Sequence, residues 1–520
     1  MTLLLRPHRR QFVIGPHSFQ ADESWICLPL EGGRWLSHCP TLRIATATDA
    51  NGCCWYLLGL AVDTLEERGA PTTTLAQSNS AEIPERYVSW AGRWLLIGQS
   101  QVHLDASGLL GCFYGTDEAG QHWASSSPAL MTHFLSPAVD RSFPEQLGPR
   151  LLVHERGISW FPPPTTPTQA LRRLLPSQCL DFCRGQVLPR PLLPPIDPLR
   201  PYAETVAQVK QSLLTALKGL AALKQSLWLG LTAGYDSRLM LALSAHGQLP
   251  IALFTRVAAR MSVADYRLPP QLARACGYQH RYLKSRRRNL QRGPLLAEHS
   301  AGYVSAGDAK PFLQGVRDGL TGISIGGHGF AIASGFSHLR SLPATCENAD
   351  TGAAQIAKVM REPADSSAVI GLRAWLRWAL QNPQAHLDWR DRFFIEQRQA
   401  GWLSAKEQVY DLLPLERFPI LNAGRTYALL LSLPENQRLN SLVQADLIAQ
   451  IAPELAAYPY NPKDAHFGLF TAIASKGTHA PMYFYRKVTD KLQRMTRAAT
   501  TVSAITSATN NPPAEPFTST

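Results

Sequence analysis

The hydrophobic period changes once along this chain, near residue 200, and that change constrains the fold more than any other feature. Before it, apolar residues fall in short runs that favour extended chain. Trp55–Val62, Trp94–Gly98 and Trp123–Ser126 are each bounded by Gly, Asp, Asn or Ser. No long amphipathic helix is expected there. After it, Val206, Val209, Leu213, Leu217 and Leu220 recur every three or four residues, the spacing of one helix face. Two proline-dense stretches precede the change, one opening at Phe161 and one running from Leu188 to Pro198. Proline fixes φ and removes a backbone donor, so the second stretch reads as an extended linker closing a first domain, residues 1–195.

The second part alternates. Leu227-Trp-Leu-Gly-Leu reads as a buried strand, Arg238–Ala245 as a helix stopped at Gly247, and Ile251–Thr255 as a second strand. Pro269 and Pro270 suit the first turn of a helix ending near Gly277. His280–Leu283 and Ile323–Ile325 complete four strands. Strand and helix in alternation imply a parallel sheet with crossover helices. The pattern from Trp375 to Ala456 is largely helical, and Ala498–Thr520 is a Ser/Thr/Ala/Pro-rich tail expected to be disordered.

Charge narrows the function classes without choosing among them. The 520 residues carry a formal charge of +12. Ten basic residues stand against two acids between Ile251 and Ser300, so this window holds +8 of the total. Nucleic acid, a membrane surface or a polyphosphate would each suit it. Lys284-Ser-Arg-Arg-Arg lacks the interleaved aromatics of a base-stacking surface, so nucleic acid is disfavoured. No run of 18 apolar residues suggests a membrane span, and the basic residues near the start follow the short apolar run instead of preceding it, unlike a secretory leader. Nine cysteines without paired CxxC spacing read as buried free thiols, which points to a reducing cytoplasm.

One segment carries chemistry: Leu229-Gly-Leu-Thr-Ala-Gly-Tyr-Asp-Ser-Arg. A buried strand meets a turn of small residues and then a helix start. Leu231, Thr232, Ala233, Gly234, Tyr235, Asp236, Ser237 and Arg238 would let backbone N–H groups approach a phosphate where the helix end is partly positive. Ser237 adds a hydroxyl, Asp236 a carboxylate for a magnesium ion, and Arg238 a guanidinium that can steer a carboxylate or phosphate. The same residues also suit an ordinary strand-to-helix turn capped by Asp or Ser, and the residues alone leave both readings open.

This segment resembles the Ser-Gly-Gly-x-Asp-Ser loop of ATP pyrophosphatases, with Thr232 and Ala233 in place of the first Ser and Gly. Asp265, Ala273, Gly277 and His280 match the Asp-x7-Ala-x3-Gly-x2-His spacing of asparagine synthetases. Further landmarks follow in order. Ala91-Gly-Arg-Trp, Asp105-Ala-Ser-Gly, His122-Trp-Ala-Ser-Ser and Leu174-Leu-Pro-Ser-Gln resemble the glutaminase-type domain, and Phe418-Pro-Ile-Leu-Asn resembles the end of the synthetase helical segment. The resemblance implies an α/β protein with a β-rich N-terminal-nucleophile-hydrolase-like domain at 1–195. A pyrophosphatase-loop domain at 196–495 and a tail at 496–520 would follow. It implies ATP and Mg2+ as cofactors, Phe254 and Thr255 beside adenine, Gly327 beside the phosphates, Asp236 on the metal, and Ser237 and Lys463 as catalytic groups. The implied reaction adenylates a small-molecule carboxylate for attack by ammonia or an amine; oligomeric state is left open.

Three departures matter. Thr2 stands where glutamine-dependent members carry an N-terminal Cys, so glutamine hydrolysis is not expected and Thr2 reads as the plain start of a leading strand. Gly326–Phe336 contains no acid where the family supplies a second magnesium carboxylate, and His328 there is a poor substitute. Asn422 replaces an Asp at a position read as structural. A non-catalytic scaffold and an RNA-modifying pyrophosphatase-loop enzyme therefore stand as the rival readings.

Overall fold

The computed structural model describes residues 6–66, 69–135, 160–168, 170–257, 261–284, 293–301, 319–327, 329–334, 339–363 and 366–462. Among the described residues twelve strands precede residue 190: β1 Phe12–Gly15, β2 Ile26–Leu30, β3 Arg34–His38, β4 Ile44–Thr48, β5 Cys54–Asp63, β6 Trp90–Gly98, β7 Gln101–Leu104, β8 Phe113–Thr116, β9 His122–Ser125, β10 Leu171–Arg173, β11 Gln178–Asp181 and β12 Gln186–Pro189. They form two six-stranded sheets, ordered β10-β8-β9-β1-β3-β2 and β12-β11-β7-β6-β5-β4. Every pairing described within them is antiparallel.

Period-two alternation decides what lies between the sheets. Phe12 and Ile14 of β1, Leu58 of β5 and Leu95 and Ile97 of β6 share one core cluster. The alternate residues Trp55, Leu57, Trp94 and Leu96 turn to the other face, where Leu75 and Ile83 of helices Pro71–Gln77 and Ile83–Arg86 cover them. Among the described residues the first strand is Phe12–Gly15, and Thr2 lies outside them. Ahead of that strand, the Arg10 guanidinium donates to the carbonyls of Asp411, Leu413 and Pro414, tying the segment to the second part of the chain.

The expected linker starts as structure. Gln186–Pro189 pairs with β11 at the sheet edge, where proline's missing donor faces no partner strand. Leu192, Leu193 and Ile196 beyond it are buried. Helix Tyr202–Ala222 follows, with the predicted apolar face buried.

The remaining strands, β13 Leu227–Gly230, β14 Ile251–Val257, β15 His280–Lys284, β16 Gly322–Gly326 and β17 Leu415–Pro419, form one parallel sheet in the order β15-β14-β13-β16-β17. Two details differ from the sequence reading. Pro269 and Pro270 lie inside helix Val263–Ala275, because the Ser262 side chain caps the Asp265 N–H and starts the helix earlier. Burial of Ala264, Leu268 and Leu272 holds the turns that lose proline donors. The largely helical region also contains β17, whose five residues pair with β16. Local period could not reveal this strand, since its pairing partner lies about ninety positions earlier in the chain.

The two parts meet through buried polar contacts. Arg93 grips Asp411 with two parallel bonds of 2.5 and 2.8 Å, and its Nε donates to the Leu109 carbonyl. Gly92 has φ +123, and a Cβ there would lie 2.7 Å from the Phe418 ring, so only glycine allows the sheets this close. All nine cysteines are free thiols, but only Cys112 and Cys179 are buried and the other seven are half-buried. No helix among the described residues is long and apolar enough to cross a membrane.

Candidate functional site

The strand order places β13 between β14, which follows it in sequence, and β16, which comes much later. The connections therefore diverge on either side of β13, which makes the carboxyl ends of β13 and β16 a topological switch point. That is where open α/β sheets take ligands. Leu231–Gly234 leaves β13 at this point and enters helix Tyr235–His246. Gly234 is the N-cap and has no side chain to accept the first helical N–H groups. Gly327, at the end of β16, closes on the helix start; a Cβ there would lie 3.0 Å from that of Asp236.

The loop is held from within. Ser237 Oγ accepts from Thr232 N–H at 3.1 Å and lies 2.9 Å from Thr232 Oγ1. Thr232 Oγ1 in turn accepts from Gly234 N–H at 3.2 Å. The Ala233 N–H donates to Asp265 Oδ1 at 2.8 Å. In that bond a carboxylate oxygen satisfies a backbone N–H of the loop. Behind the loop, Thr255 Oγ1 donates to the Leu231 carbonyl at 2.7 Å and lies 2.8 Å from His280 Nε2. The threonine has one proton to give, so His280 Nε2 is the donor there. Burial lowers the His280 pKa, which favours the neutral ring.

The residues of the Asp-x7-Ala-x3-Gly-x2-His spacing thus have physical roles. Asp265 fixes the loop and Ala273 is buried. Gly277 takes φ +75 just past the helix end, where left-handed backbone suits glycine, and His280 braces Thr255.

Other expected site residues sit differently. Arg238 is fully buried. Its guanidinium donates to the carbonyls of Ala233, Leu455, Tyr458 and Pro459 and lies 4.0 Å from the Tyr460 ring centre. Thr255 is buried beneath the loop. Phe254 packs with Leu320, Leu415 and Trp228 in a separate cluster from the one that holds Leu229 and Leu231. Lys463 and His328 lie outside the described residues.

The structure adds residues that the sequence did not single out. Tyr460 stacks on Tyr235 with centres 4.0 Å apart and planes 4° apart. Asn461 donates its N–H to the Ala233 carbonyl at 3.2 Å, and its side chain stands 3.3 Å from where a Gly234 Cβ would be. A strap of chain from Leu455 to Asn461 therefore lies against the loop. Only the closeness of Tyr460 and Asn461 to Lys463 in sequence hinted at it.

Asp236 is the one acid of the loop. Burial pushes its pKa up to about 6, opposed by the Gln444 amide, whose Nε2 lies 3.4 Å from Oδ1. No cluster of three or more His, Cys, Asp or Glu able to hold a metal exists among the described residues. A single carboxylate beside a buried amide does fit Mg2+ that arrives on phosphate oxygens, since that ion commonly keeps waters and takes one or two carboxylates. The raised pKa has a stability consequence. In the folded chain the ionised form is disfavoured, so the penalty is absent below about pH 4, grows through pH 6 and is complete above it. Asp236→Asn is therefore expected to stabilise the ligand-free protein by about 1–2 kcal/mol at pH 8, after discounting for solvent screening, and to change little at pH 4. Thermal unfolding at the two pH values checks this; equal shifts at both would contradict it.

The chain matches no family model, and no curated protein matches it significantly.

Proposed function

We propose that the chain is an asparagine-synthetase-like, ATP-dependent amide-forming ligase. Its two antiparallel sheets would be an N-terminal-nucleophile-hydrolase-like domain without glutaminase chemistry, and its parallel sheet a pyrophosphatase-loop domain. One observation carries the reading: a small-residue loop opening a helix at the switch point of a parallel sheet, with a hydroxyl and a carboxylate in the helix's first turn. A diphosphate is the ligand such a loop suits best, through backbone N–H groups and the helix end.

In the proposed reaction a substrate carboxylate oxygen attacks the α-phosphorus of ATP and the bond to the β,γ-pyrophosphate breaks. Ammonia or an amine then attacks the acyl carbon and AMP leaves, giving an amide. The Ser237 hydroxyl and the uncapped N–H groups after Gly234 would stabilise charge on the departing pyrophosphate, in a preformed site that need not reorganise. Asp265 would hold the loop's shape until a phosphate oxygen competes for the Ala233 N–H. Mg2+, held by Asp236, would neutralise charge on the phosphate oxygens. Lys463 remains the proposed aid to attack on the acyl-adenylate.

A second reading, a non-catalytic scaffold, is favoured by the same loop's self-satisfaction: Thr232, Ala233 and Gly234 all spend their N–H groups on side chains of this chain. Release of pyrophosphate separates the two. With a panel of carboxylic acids and amines, the ligase reading expects pyrophosphate and AMP in equal amounts, dependent on the acid. No release with any pair, together with no ATP binding, would overturn it in favour of the scaffold.

A further inference from the structure

Asp236 stands alone as an acid in the loop, and the sequence Gly326–Phe336 offers no second one. A different element faces it. Helix Leu442–Ile451 presents Gln444, which is 2% exposed. The helix buries Val443, Leu447 and Ile448 into the core, so an amide among them needs polar partners. Among the described residues Gln444 has one weak partner. Its Nε2 reaches Asp236 Oδ1 at 3.4 Å, long for a hydrogen bond to a carboxylate, while its buried Oε1 meets no donor among them.

We infer that the Gln444 side-chain oxygen is the second protein ligand of the divalent cation at Asp236. Half a turn about the last side-chain bond exchanges the nitrogen and oxygen of an amide with almost no change of shape. The oxygen then stands about where the nitrogen does, 3.4 Å from Asp236 Oδ1. Neighbouring ligands of an octahedral Mg2+ at about 2.1 Å are roughly 3 Å apart, so a small adjustment brings both oxygens onto one ion. The amide is a hard, neutral oxygen donor. The site then carries one protein charge instead of two, and depends on the ligand's phosphates for the rest. Gly327 keeps the adjoining side narrow, since a Cβ there would press on Asp236 at 3.0 Å.

The inference rests on the nucleotide reading of the loop, and its test separates the two. Mn2+ is titrated into the full chain by electron paramagnetic resonance, with a non-hydrolysable ATP analogue saturating, for the wild type, Gln444→Leu and Gln444→Glu. Thermal unfolding verifies that each variant is folded. Metal-free binding of the analogue is measured in parallel with a chelator present. The leucine variant is expected to weaken Mn2+ about 10-fold and the glutamate variant to tighten it about 10-fold, the scale of losing or gaining an oxygen ligand or its support. In the leucine variant, metal-free analogue binding should stay within about twofold. Equal Mn2+ affinity in all three, with the analogue bound, would overturn the role of Gln444 and leave the nucleotide site standing. Absence of analogue binding in the wild type would overturn both.

Discussion

Asn422→Asp is expected to cost about 3–5 kcal/mol of stability at pH 8, the scale of an uncompensated buried charge. Asn422 is fully buried. Its Nδ2 donates at 2.7 Å to the Gly92 carbonyl and at 2.7 Å to Asp105 Oδ1, joining the end of β17 to the antiparallel sheets. Asp105 is also fully buried, and burial raises its pKa despite N–H donors from Trp94, Ser107 and Leu109. An aspartate at 422 would remove both bonds and set a second carboxylate against the first. The pair would then share a proton, with a folded pKa raised above the ordinary value. The cost should therefore be largest at high pH and shrink as pH falls and both groups protonate. Urea unfolding at pH 8 and pH 5 measures it. A pH-independent loss would show that the missing donor matters and the charge does not.

Arg238→Met should have the second large effect, about 2–4 kcal/mol, because four buried carbonyls lose their donors at about 1 kcal/mol each, less the relief of no longer burying a cation. The function should suffer with the fold. Arg238 holds Ala233 of the loop together with Leu455, Tyr458 and Pro459 of the strap, so its loss frees the strap to lift. Arg238→Lys should rescue little, since one ammonium cannot reproduce a planar fork spanning four acceptors. Limited proteolysis around residue 459 with denaturant unfolding provides the readout. Unchanged protease resistance with lowered stability would confine Arg238 to the core.

These two residues also show what the sequence can and cannot reveal. The change of period near residue 200, the short strands around Trp55, Trp94 and Trp123, and the strand-loop-helix at Leu229–Arg238 all come from local patterns, and each appears where the pattern puts it. Local order shows Arg238 only as a cation beside a loop. Only the fold shows that the next turn of helix faces inward, under Tyr460. Asn422 read as structural, but its partner Asp105 lies over three hundred positions away, and no spacing rule reaches that far. The same holds for β17, for the Leu455–Asn461 strap and for Gln444. Each is defined by a tertiary neighbour and not by the residues beside it. The prolines at 269 and 270 failed for a different reason, because the helix cap at Ser262 and the buried face outweighed their local preference.

The central claim is that the Leu231–Ser237 loop receives the pyrophosphate part of ATP, and calorimetric titration tests it most directly. Mg–ATP and Mg–pyrophosphate should each bind the wild type at one site and compete with each other, and Ser237→Ala should weaken both about tenfold or more, as loss of a charge-assisted hydrogen bond requires. Pyrophosphate that fails to displace ATP, or affinities untouched by Ser237→Ala, would contradict the assignment.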